Sequence, residues 1–135
     1  MSRLHRTLPE CRDMKMIIRT LSVGPMEANC YILGCEETRS AMVIDPGAEA
    51  ERIKSVIDRC NLRLELIVNT HAHVDHIAAN SDLKEKTSAL LCIHSTDAEM
   101  LVNPQENLSF FIGIPVSSRT FASNLSASTP NPRKL

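Results

Sequence analysis

Apolar residues along the chain fall into short runs with two different periods, and the change of period predicts the order of elements. Met16–Val23 is a β-rich run ended by Gly24-Pro25, and two further apolar runs, 29–34 and 41–44, flank the charged turn Glu36-Glu37-Thr38-Arg39. Three such runs joined by tight turns predict an antiparallel meander. After the break at Pro46-Gly47 the period lengthens. Ile53, Val56, Ile57 and Cys60 recur on one face of 49–60, with Glu51, Arg52, Lys54, Asp58 and Arg59 elsewhere. That is an amphipathic helix whose first acidic residues stand where the macrodipole favours them.

Residues 64–68 read as a buried strand, 77–86 as a helix and 89–93 as another buried strand. Thr96-Asp97-Ala98-Glu99 has the form of a capping box that opens a short helix through Leu101. The order from residue 16 to 101 is therefore β-β-β-α-β-α-β-α. A meander followed by strand–helix alternation predicts an α/β (α+β) architecture, with helices flanking a mixed sheet. Beyond Pro115 the chain turns to Ser, Thr, Asn, Pro and Arg, with isolated apolar residues at Phe121 and Leu125. Three segments are expected: an N-terminal extension at 1–15, one domain at 16–115 and a disordered tail at 116–135.

Composition narrows the picture further. A hydrophobic content of 43% with only 3% aromatic residues implies an aliphatic core. The formal net charge of −1 gives no electrostatic basis for a nucleic-acid or membrane partner, and no apolar segment approaches the length of a membrane span. Five cysteines, at Cys11, Cys30, Cys35, Cys60 and Cys92, are odd in number and form no C-x-x-C pair, which suits a reducing, cytoplasmic compartment. Cys30 and Cys60 fall at apolar positions and read as small buried hydrophobes.

The chemistry is concentrated in Asn69-Thr70-His71-Ala72-His73-Val74-Asp75-His76, directly after the 64–68 run. Imidazole nitrogens and a carboxylate oxygen are donors for zinc, and to some extent for iron or manganese. His71 and His73 are two apart and lean to the same side of an extended segment; Asp75 repeats that direction. Two adjacent half-sites are expected, a His/His pair and an Asp/His pair. A metal pair sharing a water lowers its pKa and yields a nucleophile at neutral pH. A polar helix start after a buried strand would account for one histidine with an Asp cap, not for three.

Thr70-His71-Ala72-His73-Val74-Asp75-His76 resembles the signature of the metallo-β-lactamase superfamily. Upstream, Val23-Gly24-Pro25-Met26-Glu27-Ala28-Asn29-Cys30-Tyr31-Ile32-Leu33 and Val43-Ile44-Asp45-Pro46-Gly47 are similar to its glyoxalase II (hydroxyacylglutathione hydrolase) branch, and the resemblance covers about residues 16–115. It implies the N-terminal half of an αβ/βα sandwich made of two similar halves. It also implies two zinc ions per site, with iron or manganese as alternatives. His71 and His73 would hold the first metal, Asp75 and His76 the second, and Asp75 is the residue singled out for catalysis. Asp45 would orient the loop by hydrogen bonding, although a turn-initiating Asp before Pro-Gly explains it locally as well. The implied substrate is a small-molecule thioester such as an acylglutathione, attacked at its carbonyl.

One departure from the family pattern bears on activity. Members supply a later histidine for the first metal, a bridging aspartate and a last histidine, whereas this chain has no histidine after His94 and no aspartate after Asp97. His94, at the end of the 89–93 run, reads as a surface or helix-start residue rather than a ligand, and His5 lies in the extension. The alternative expectation is thus a truncated, catalytically inactive half-domain, its last tract produced by a frameshift, an alternative exon or an early stop. Self-association of two copies across the uncovered sheet is a further possibility.

Overall fold

The chain alternates small apolar strands with polar turns, and in the computed structural model, which describes residues 15–118, these become one five-stranded sheet. The strands are β1 (Met16–Val23), β2 (Ala28–Cys35), β3 (Ser40–Ile44), β4 (Arg63–Asn69) and β5 (Leu90–Ile93), adjacent in that order. β1, β2 and β3 form the expected antiparallel meander, and β3, β4 and β5 run parallel. Parallel neighbours need a crossover. Helix α1 (Ala50–Arg59) supplies the first, and α2 (Val74–Ile77) with α3 (Asn80–Thr87) supplies the second.

Both longer helices lie on one face of the sheet. Cys30, Ile32, Val43 and Ile67 from the strands meet Ile53 and Ile57 of α1 and Leu83 of α3 in the main core. The strand period of two sends the intervening residues to the other side. There Ile18 pairs with Leu33, Leu33 with Met42, and Met42 with Leu66 across the strands, and Leu66 with Leu90. No helix among the described residues covers this second face, and Ile18 and Leu90 are 54% and 51% exposed. The mixed sheet with helices on one side is the expected half of a sandwich.

Two local expectations are corrected. The single helix expected over 77–86 is instead divided at Ala78-Ala79. The Ala79 N–H donates to the Pro46 carbonyl at 3.0 Å, and the Asn69 amide takes the His76 carbonyl at 3.0 Å, so tertiary bonds replace rungs of a continuous helical ladder. The segment Ser95–Val102 is a 3₁₀ helix, and its cap is His94, whose Nδ1 accepts the Thr96 N–H at 3.2 Å, rather than Thr96. Val116 packs on a small second cluster with Ala72, Ile77 and Leu101, and the Ser118 N–H donates to the Leu101 carbonyl at 2.8 Å. The expected N-terminal extension up to residue 14, and the tail from 119 with Phe121 and Leu125, lie outside the described residues.

Candidate metal centre

Parallel strands deliver their C-terminal ends to one edge of a sheet, and loops at that edge are the usual place for a site in α/β proteins. Here Asp45 follows β3, Thr70 to Asp75 follow β4, and His94 follows β5. The Asp45 N–H donates to the Val68 carbonyl at 2.9 Å, which brings the two loops side by side. Asp45 is 5% exposed and sits in the left-handed backbone region at φ 53°. That conformation strains an L-residue, although Asp tolerates it better than most. It turns the carboxylate back over the metal loop, where Oδ1 accepts the Thr70 N–H at 2.7 Å and Oδ2 accepts the Thr70 hydroxyl at 2.6 Å.

Three potential ligand atoms, one each from Asp45, His71 and His76, lie within 4.8 Å of one another. The His71 and His76 rings are tilted together with centroids 4.1 Å apart, and the His73 ring stands edge-on to His71 at 4.9 Å. His73 is exposed and its backbone opens α2, its carbonyl accepting the His76 N–H at 2.9 Å. Asp75 flanks the group, with Oδ2 3.2 Å from His76 Nε2. His76 is thus set between two carboxylates, since its Nδ1 lies 3.1 Å from Asp45 Oδ2. That approach is too poorly aligned for a hydrogen bond, and the buried Nδ1 has no hydrogen-bond partner among the described residues. The clustering therefore groups Asp45 with His71 and His76, across the two pairs that the resemblance implies. His94 spends its Nδ1 on capping and lies outside the group, and His5 falls outside the described residues.

The donor chemistry suits a divalent ion. A buried, unpartnered imidazole nitrogen is costly unless something binds it. Burial holds the His71 imidazolium below the ordinary range, His76 and His73 push the same way, and Asp45 and Asp75 oppose them. The neutral ring thereby keeps a lone pair to offer. Two imidazoles and a carboxylate are the donor set of an open catalytic zinc site, and iron accepts it too.

The support behind this group was not evident from pattern alone. Asn69 and Asn80 are buried, the Asn80 amide donating to Asn69 Oδ1 at 2.7 Å, and together they clasp the end of β4 to the start of α3. Asn107, fully buried, accepts the Val74 N–H on its carbonyl at 2.9 Å and donates from its side chain to the Met100 and Val116 carbonyls. Gly47 is needed where it stands, because a Cβ there would lie 1.6 Å from the Asp75 carbonyl oxygen.

Comparison with known proteins bears on the family and the fold. A family model described as the metallo-beta-lactamase superfamily matches residues 23–127. The chain is 32% identical over 102 residues to a probable metallo-hydrolase, YqgX, of Bacillus subtilis, covering 75% of this chain and 47% of that protein. It is 37% identical over 70 residues to the hydroxyacylglutathione hydrolase GloC of Haemophilus influenzae, covering 52% of this chain and 32% of that one. Among solved structures, the BLEG-1 B3 metallo-beta-lactamase superposes with a TM-score of 0.73 at 27% identity, over 84% of this chain and 54% of that one. TTHA1623 in a di-iron-bound form gives 0.62 at 26% identity, over 73% and 48%. The chain spans a third to a half of the length of the curated relatives named here.

Proposed function

Because the chain belongs to the metallo-beta-lactamase superfamily, we propose that it carries the metal-holding half of a divalent-metal-dependent hydrolase that cleaves thioesters of the acylglutathione type. The observation that carries this reading is the convergence of Asp45, His71 and His76 beside a buried, unpartnered imidazole nitrogen. The likeness to a hydroxyacylglutathione hydrolase supports the substrate class. Zinc is the metal that the donors favour, and the free thiols Cys30, Cys35, Cys60 and Cys92 support a reducing cytoplasm as its setting.

A divalent ion held at this site would lower the pKa of a water so that a nucleophile for a carbonyl carbon is available at neutral pH. The chain's own residues do the rest. His71 and His76 would hold the ion, with Asp45 either joining them or steadying the loop through Thr70, and His73 and Asp75 are the adjacent donors for a second ion. Asp75 also stands against His76 Nε2 at 3.2 Å, where it can orient that ring or share its proton. The fixed edge of the sheet keeps these groups in place, so little reorganisation accompanies reaction.

A second reading is that this chain alone binds metal without turnover. It is favoured by the donor count: the described residues gather one group of three donors, Asp45, His71 and His76, whereas a dinuclear site draws on more. The test is hydrolysis of an acylglutathione by the zinc-loaded chain, with His71→Ala and His76→Ala as controls. Turnover lost in both variants supports the hydrolase. Tight metal binding with no turnover above the variants selects the second reading. Turnover unaffected by either substitution removes the metal mechanism.

A further inference from the structure

The Thr70 hydroxyl makes two short contacts and has one hydrogen to give. Its oxygen is 2.6 Å from Asp45 Oδ2 and 2.9 Å from His71 Nδ1. An ionised carboxylate can only accept, so the hydroxyl hydrogen belongs to the Asp45 contact. The Thr70 oxygen is then left as an acceptor toward His71, and a neutral imidazole that satisfies it must carry its proton on Nδ1. The Thr70 N–H, donating to Asp45 Oδ1 at 2.7 Å, locks the carboxylate in this arrangement from its other oxygen.

We propose that Thr70 is a positioning residue that relays the Asp45 carboxylate to His71, fixing that ring as the Nδ1–H tautomer and leaving its lone pair on Nε2. Nε2 is then the one atom of the ring able to take a metal. A histidine ligand held by a carboxylate is a common outer support of metal sites; here a hydroxyl stands between the two groups. The tautomer assignment holds with or without a metal. Its use in metal holding rests on the function proposed above.

Long-range proton–nitrogen correlation spectra of the histidine-labelled, chelator-treated full chain read the tautomer directly, at about pH 8 so that the rings are neutral. His71 is expected to show a protonated Nδ1 and a bare Nε2, and Thr70→Ser to keep that pattern. Thr70→Val should release the ring toward the Nε2–H form. Asp45→Asn offers an amide that can donate to the Thr70 oxygen and free the hydroxyl hydrogen for His71, so it should shift the tautomer the same way. Were Thr70→Val to misfold, Asp45→Asn and Thr70→Ser would still decide the matter. A bare Nδ1 in the wild type, or one tautomer shared by wild type, Thr70→Val and Asp45→Asn, overturns the proposal.

Zinc affinity by competition with a chromophoric chelator separates the two readings. Thr70→Val is expected to bind zinc about 10- to 100-fold more weakly, with Thr70→Ser close to wild type. The expected tautomers together with no zinc binding in the wild type would leave the relay standing and remove the metal function.

Discussion

Titratable side chains a few residues apart behave differently here because of what surrounds them. Cys30 is buried in the core, where the thiolate cannot be solvated, and its thiol is pushed up to about 12. Cys35 is held low by hydrogen bonds from the Thr38 hydroxyl and from the Thr38 and Glu37 backbones. Native protein should therefore be alkylated by iodoacetamide at Cys35 well before Cys30, as peptide mass mapping would record. Early modification of Cys30 would mean that the β2 core opens easily. His71 gives a second residue-scale expectation. Its folded form protonates less readily than the unfolded chain, so stability in chelator is full above the ordinary imidazole range and falls as pH drops through it toward the depressed folded value. Denaturant melts at several pH values should show this slope, and His71→Gln should flatten it. At this scale the candidate loop stands out in the sequence, because His71, His73, Asp75 and His76 are close along the chain and no packing role explains them together, whereas the grouping of Asp45 with His71 and His76 comes from the fold. Asp45 could be read as either turn or support. Asn69, Asn80 and Asn107 were not legible, since the acceptors of their side-chain amides lie seven or more residues away on other elements and nothing local distinguishes them from surface asparagines.

Elements were predicted best where one period ran without interruption. The five strands and α1 follow from alternation and from an apolar stripe, and their positions agree with expectation to within a residue or two. The second crossover was misread as a single helix because the groups that divide it, the Pro46 carbonyl and the Asn69 amide, arrive from other elements. Two substitutions test this packing. Gly47→Ala forces a methyl against the Asp75 carbonyl oxygen, and backbone cannot yield as a flexible side chain would. A loss of at least about 1–3 kcal/mol is expected, with metal binding weakened as the loop is displaced. Asn80→Ala leaves the buried Asn69 amide with fewer partners, and should cost about 1–3 kcal/mol in urea unfolding. Full stability in both variants would mean that the loop adapts and that the clasp is incidental.

Across the whole molecule, one face of the sheet is sealed by α1 and α3, and the other presents Ile18, Tyr31 and Leu90 to solvent among the described residues. No described helix is long and apolar enough to cross a membrane. An open aliphatic face of this kind should bind a hydrophobic dye in the native state, and the double substitution Ile18→Thr with Leu90→Thr should reduce that fluorescence while leaving the metal edge intact. The half-sandwich and the site sit at different places on the sheet, one on its face and one at its C-terminal edge, so the two properties are separable. The central claim, that the edge holds a divalent ion through His71 and His76 beside Asp45, is tested most directly by metal content. Elemental mass spectrometry on the chain purified without chelator and dialysed against trace zinc should find about one or two ions per chain in the wild type, and a clear loss in His76→Ala. Wild type without stoichiometric metal, or His76→Ala with the same content, would contradict it.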